Sequence, residues 1–492
     1  MKRRSLAFGL GAAGLAVLGG CMVGPNFPRP APPAVSRYTP EPLPAATAAA
    51  ATPGGDAQRF VQGQDMAGDW WTLFHSPALS HLVAEALKAN PDVAAAKAGL
   101  RAAHESYLAQ WGALLPTADA DYNVTRQKAS SILAPPLSSN NDLFTLHTLE
   151  VTVTYAPDVF GGVRRQTEAT HAQFDLAKWQ AEAAYLTLTS NLVTAALQAA
   201  SLSDQIAATK KIIAAANEVL AIVRRQRQLG EASGADVAAQ EAILAQGEET
   251  LPVLERQLAL QRDLIANLTG HAPSDGLPDQ VDLSTLTLPA DVPVTVPAKL
   301  VEQRPDVLAS EANLHAASAE VGVAIANRLP SFQLQAIAGG ESTNISTLFT
   351  SGNSFWSLAA GVTQPIFEGG ALLHRQRSAQ ASLIQAKEQY RSAVLGALQN
   401  VADCLQALDA DGRGLAAAFA AERSAGRSLA IARRQLELGQ VSGIVVLNAE
   451  QVYQQAVLAL VQSRTSRYQD TVALYVALGG GWWKRDDLTR GG

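Results

Sequence analysis

The chain of 492 residues is 48% hydrophobic and 17% charged, with 38 basic against 44 acidic side chains for a formal net charge of −6. No basic tract follows the first few residues, which argues against nucleic acid as a partner. Beyond residue 20 no stretch reaches the ~18 uncharged apolar residues of a membrane-spanning helix.

Lys2-Arg3-Arg4 opens the chain, an uncharged apolar run from Leu6 to Leu18 follows, and Leu18-Gly19-Gly20-Cys21 closes it. A basic start, an apolar core and small residues before a cleavage point form an export signal, here residues 1–20. A Cys at the first mature position predicts lipidation of Cys21 and an anchor outside the cytoplasm. Met22 stands where an Asp would favour the inner membrane, so the outer membrane is expected. If Cys21 is acylated, Cys404 is the only remaining cysteine and no disulfide within the chain is available. Cys404 lies in an apolar helical run and reads as a buried, inert thiol.

Residues 21–76 form the lipid-anchored strap and N-terminal belt. Nine prolines between Pro25 and Pro53 keep it extended. An internal duplication follows. Residues 77–270 resemble 299–481, with 271–298 as a linker and 482–492 as a tail. Asn90-Pro91-Asp92-Val93 matches Arg304-Pro305-Asp306-Val307, and Leu115-Pro116 matches Leu329-Pro330, both at a separation of 214. Pro157 with Gly161-Gly162 matches Pro365 with Gly369-Gly370. Leu229-Gly230 with Ser233-Gly234 matches Leu438-Gly439 with Ser442-Gly443. These later landmarks lie 208 to 209 apart.

Each copy repeats the same elements. Asp92 to Leu114 is an Ala-rich helix bounded by Pro91 and Pro116. Residues 117–156 then alternate apolar and polar side chains in two runs, and 331–365 do so less cleanly. Strands of this length span a bilayer when tilted, so these four fit a transmembrane barrel. Val163 to Leu229 contains no proline and carries a heptad seam of Leu, Ile, Val and Ala. Glu231-Ala232-Ser233-Gly234 breaks it, and a second helix returns from Asp236 to about Leu268. The second copy predicts the same from Leu372 to Leu438 and from Val445 to Leu478. A helix of 66 residues is ~100 Å long at ~1.5 Å per residue, a length matched by the two shorter helices end to end. The expected fold is α+β: a barrel of membrane strands continuous with a long periplasmic α-helical coiled-coil barrel. Four strands leave unpaired backbone at an open edge in lipid, so the chain must oligomerise, two copies giving eight strands and three giving twelve.

With these elements laid out, the chain resembles the TolC-like outer membrane factor family, in its lipoprotein (NodT-type efflux) branch. The marks are Gly20-Cys21 with Val23-Gly24-Pro25-Asn26-Phe27, then Trp71, Phe74 and Pro77-Ala78-Leu79. The Asn90-Pro91-Asp92 and Arg304-Pro305-Asp306 pair and the terminal Leu478-Gly479-Gly480-Gly481-Trp482 complete them. The resemblance implies a homotrimer with twelve strands, serving as exit duct for small molecules from an inner-membrane pump of the proton-driven type, joined through a periplasmic adaptor. It implies that the tips Leu229, Gly230, Ser233, Gly234 and Leu438, Gly439, Ser442, Gly443 face that adaptor. Some family members close the periplasmic mouth with aspartates a few turns before the second tip. Here Glu422 to Leu438 carries Arg423, Arg427, Arg433 and Arg434 and no Asp. A gate of Arg–carboxylate pairs is therefore expected, with Glu422, Arg423, Arg427 and Glu437 as candidates.

Neither a catalytic residue nor a cofactor or metal is predicted. Gly9-Leu10-Gly11-Ala12-Ala13-Gly14 spells a dinucleotide fingerprint but sits in the export signal with no βαβ unit around it. The eight histidines are scattered without helical zinc spacing. Two other functions fit parts of the pattern: the outer duct of a type I protein secretion system, and a poreless periplasmic coiled coil.

Overall fold

The computed structural model describes residues 22–128, 130, 142–276 and 281–485; the export signal, Cys21 and residues 486–492 of the tail lie outside these. In chain order the elements are β1 (Arg59–Gln62), α1 (Pro77–Ala89), α2 (Pro91–Gly112), β2 (Thr117–Lys128), β3 (Leu143–Tyr155), α3 (Gly162–Gln228) and α4 (Gly234–Leu268). There follow β4 (Asp291–Val294), α5 (Pro297–Gln303), α6 (Pro305–Ala326), β5 (Ser331–Ser342), β6 (Ser354–Thr363), α7 (Ala371–Glu437) and α8 (Gly443–Ala477). The duplication is exact in helix length. α2 and α6 have 22 residues each, α3 and α7 have 67, and α4 and α8 have 35.

Two compact units are present, and each draws on both copies of the repeat. The first holds the described residues up to Pro30, with Leu100–Ala177 and Ser310–Tyr390. Its centre is an antiparallel sheet in the order β2-β3-β5-β6. The register aligns the alternating residues seen in the sequence. Tyr122 pairs with Leu149 and Ala120 with Val151, Val151 in turn with Ala338, and Ala338 with Trp356. Because side chains alternate across a strand, these share one face. Asp119, Asp121, Glu150, Thr152 and Gln335 occupy the other. Trp356 and Leu358 are three-quarters exposed, as a face meant for lipid requires. Among the described residues, β2 and β6 each keep one edge unpaired within the chain.

The second unit holds Ala31–Gly99, Lys178–Ala309 and Arg391 onward. Here residues 59–62 of the segment read as a strap form β1, which pairs in parallel with β4. Trp70, Phe74, Tyr468 and Tyr475 pack their rings together and are fully buried. Arg467 is buried beside them and clamps the strap, donating to the carbonyls of Gly54 and Asp56, to Thr47 Oγ1 and to Gln58 Oε1. Burial and the adjacent Asp470 raise the Asp411 carboxyl to about 7. Burial likewise raises the half-buried Cys404 thiol to about 11, keeping it protonated and unreactive.

The paired Pro marks explain themselves here. Asn90 caps α2 by accepting from the Asp92 and Val93 amides, and its Nδ2 donates to the Leu268 carbonyl ending α4. Arg304 grips Asp306 and donates to the Ala477 carbonyl ending α8. Each mark thus receives the last turn of its own copy's returning helix. Pro252 lies inside α4 without ending it; Leu251, Leu254 and Leu258 pack there on Leu202 and Ile206, offsetting the lost hydrogen bond.

Candidate functional site

The two helix–turn–helix tips form one structure within the second unit. α3 ends in a Schellman turn: Gly230 takes φ +85°, its N–H donates to Arg227 O at 3.1 Å, and the Glu231 N–H donates to Gln226 O at 2.9 Å. Gly439, at φ +66°, ends α7 the same way, with Gln440 N–H donating to Gln435 O at 2.8 Å. Only glycine enters this left-handed region without strain. Ser233 then starts α4 through a reciprocal capping box with Asp236, whose carboxyl is held low by bonds from the Ser233 side chain and backbone. Ser442 makes no such side-chain bond, since Val445 stands where Asp236 would be.

Beneath the turns, Val219, Leu220, Val223, Val237, Leu429, Ala432, Leu436 and Val446 bury one another. They come from α3, α4, α7 and α8, so all four helices share this core. Full burial of each large member contributes ~1.5–3 kcal/mol. Gly443 lies against Val223, and Gln226 Nε2 donates to Leu436 O across the two tips. At the turns themselves Leu229 and Leu438 stay 63% and 55% exposed. Nothing crowds Gly230 or Gly439. The tips therefore present apolar side chains and open backbone.

The charged candidates separate. Arg434 pairs with Glu437 at 2.8 Å one turn away. Arg423 lies over the Phe419 ring, 5.7 Å from its centroid, and Arg427 donates to Ser424 Oγ at 3.4 Å. Glu422 lines a groove of ~380 Å³ with Asp204, Lys211, Arg433, Glu450 and Tyr453. Burial, then the Glu422 charge, raises the Tyr453 hydroxyl. The link that joins helices is a different one. Arg433 of α7 binds the buried Glu450 of α8 at 3.0 Å, and Gln240 of α4 donates to Glu450 and to Ala216 O. Sequence reading missed Glu450 and Gln240. One signal was available, since Arg224–Glu241 and Arg433–Glu450 repeat the same 17-residue spacing across the duplication. Among the described residues no cluster of metal-ligating side chains forms.

A chain with a membrane-type sheet and two matched helical hairpins defines an outer-membrane channel. The profile described as "Outer membrane efflux protein" matches residues 82–271 and again 296–480, once per repeat, and the chain belongs to that family. It is an efflux channel protein of the outer membrane. The outer membrane protein OprJ of Pseudomonas aeruginosa is 28% identical over 486 residues, covering 97% of each chain. The pyoverdine export outer membrane protein OpmQ of Pseudomonas putida is 29% identical over 425 residues, 86% of this chain and 89% of that one. The solved structure of the outer-membrane channel OprN superposes with a TM-score of 0.83 at 25% identity, covering 94% of this chain and all of the other. The CmeC channel of Campylobacter jejuni gives 0.83 at 23%, covering 96% and 97%.

Proposed function

We propose that the chain is the passive exit duct of a tripartite efflux system, taking small molecules from an inner-membrane pump, of the proton-driven type, through a periplasmic adaptor. The pair of tips carries this reading. Two turns with exposed leucines and uncrowded glycines, fixed side by side on a common core, offer a helical hairpin a close approach to backbone. The names of relatives agree: OpmQ is a pyoverdine export protein and TtgC of Pseudomonas putida a probable efflux pump component. Three copies supply twelve strands, enough for a lumen, and close the unpaired edges of β2 and β6. Cys21 carries the lipid anchor. Glu422, Arg423, Arg427 and Glu437 act at the periplasmic gate, with Arg433 and Glu450 as the link between helices.

Site-specific photo-crosslinking in cells tests the partner. Glu231 and Gln440 are exposed turn positions, whereas Ala232 and Val441 pack partly on the tip core. A crosslinker at Glu231 or Gln440 is expected to capture the adaptor of a proton-driven pump. Capture of an adaptor from an ATP-driven protein exporter would move the function to type I secretion. No periplasmic adaptor from either position would overturn the tip assignment.

A further inference from the structure

The first unit contains a built site that neither the channel nor the tips use. Residues 22–29 lie in it. Its floor is Arg165, in the first turn of α3, which is 1% exposed. Its guanidinium donates to Val23 O at 3.0 Å, to Gly24 O at 3.3 Å and to Asn26 Oδ1 at 2.7 Å. The fourth bond, at 2.7 Å, goes to Glu168 of the same helix. The Val23 N–H donates to Phe160 O at 3.0 Å. Gly24 takes φ +89°, and a Cβ there would stand 2.4 Å from the Gly322 α-carbon of α6. A Cβ on Gly322 would in turn meet the Arg165 side chain at 2.8 Å. Phe27 stacks on His315 at 4.4 Å, His315 pairs with Glu168 at 3.0 Å, and Arg29 pairs with Glu311 at 2.9 Å.

A buried arginine spends three donors here on a segment of eight residues with no regular structure. The place is informative. Met22 touches Gly161, in the short link between β3 and α3, and the neighbouring Phe160 packs on Phe332 at the start of β5. This is the periplasmic end of the strands that cross the bilayer.

We propose that Arg165, Gly24, Gly322 and the Phe27–His315 stack form a docking site for the chain's own N-terminus. The site fixes the level and position at which acyl chains on Cys21 enter the bilayer beside the strands. It rests on the reading of Cys21 as lipidated. Arg165 is a positioning residue, acting on the lipid through the peptide it holds. Residue 165 reaches the anchor only through residues 22–26, so its effect must depend on the anchor being present.

The test is a double-mutant cycle in full-length chain expressed in cells. Arg165→Met and Gly24→Ala should each speed exchange of the Val23 amide, which donates to Phe160 O, about tenfold while leaving the helices protected. With Cys21 acylated, Arg165→Met should lower the yield of detergent-resistant outer-membrane oligomer about threefold. In a Cys21→Ser background the same substitution should lower it no further. Equal losses in both backgrounds would show a purely structural arginine and overturn the proposal, as would unchanged exchange in both clip variants. The intact mass of the N-terminal peptide tests the lipid separately: an unmodified Cys21 sinks the anchor reading even where the exchange result stands.

Discussion

The two repeats use one residue pair in opposite ways. Arg224–Glu241 sits at the surface, both side chains about half exposed, and contributes under ~1 kcal/mol. In Arg433–Glu450 the carboxylate is 3% exposed and the arginine 34%. Removing one partner of a buried pair leaves an uncompensated charge and costs ~3–5 kcal/mol, less here because Arg433 is partly wet. Arg433→Ala is therefore expected to loosen the tips and raise closed-state conductance in planar bilayers, while Arg224→Ala leaves it unchanged. Arg423→Ala and Arg427→Ala test the proposed gate, and each is expected to raise the closed-state leak. An unaltered closed state in both would remove them from the gate.

At the scale of elements, the turns are alike in their glycines and unlike in their caps. Ser233→Ala should cost the start of α4 ~1 kcal/mol, seen as amide exchange about fivefold faster at residues 234–237. Ser442→Ala should leave the start of α8 unmoved, because the Ser442 side chain makes no capping bond there and its carbonyl, which accepts from Val445 N–H, is kept by the substitution. Equal responses would mean that the capping box does not stabilise the first turn. Most elements were legible in advance. Gly230 and Gly439 end helices wherever a chain must turn left-handed, and the alternation in 117–125 and 148–155 can bury only one face. β1 and β4 were not legible. Each is four residues long, Pro293 interrupts one, and the partner is more than 200 residues away, so no local pattern could show them. Arg165 was equally silent, since an arginine in a first helical turn reads as a solvated charge. The Arg433–Glu450 link was hidden by the turn between its members.

For the whole molecule, the duplication predicts how copies meet. In the first hairpin Thr117 pairs with Thr154, and in the second Ser331 pairs with Thr363. The first strands are thus offset by 214 residues and the second strands by 209. Applied to the β3–β5 register, in which Val153 faces Ala336, these offsets set Val362 opposite the partner subunit's Tyr122. Ala360 then faces the partner subunit's Val124. Cysteines at 362 and 122 should join copies into a crosslinked ring under oxidation. A pair at 361 and 122, displaced by one residue and facing opposite sides, should not. Crosslinking by the displaced pair alone would refute the register. The equal helix lengths carry a consequence for heredity. A deletion of one heptad in α3 alone would withdraw Val219 and Val223 from Leu429 and Leu436 and leave one turn stranded. Length can therefore change without stranding a turn only when α3 and α7 change together.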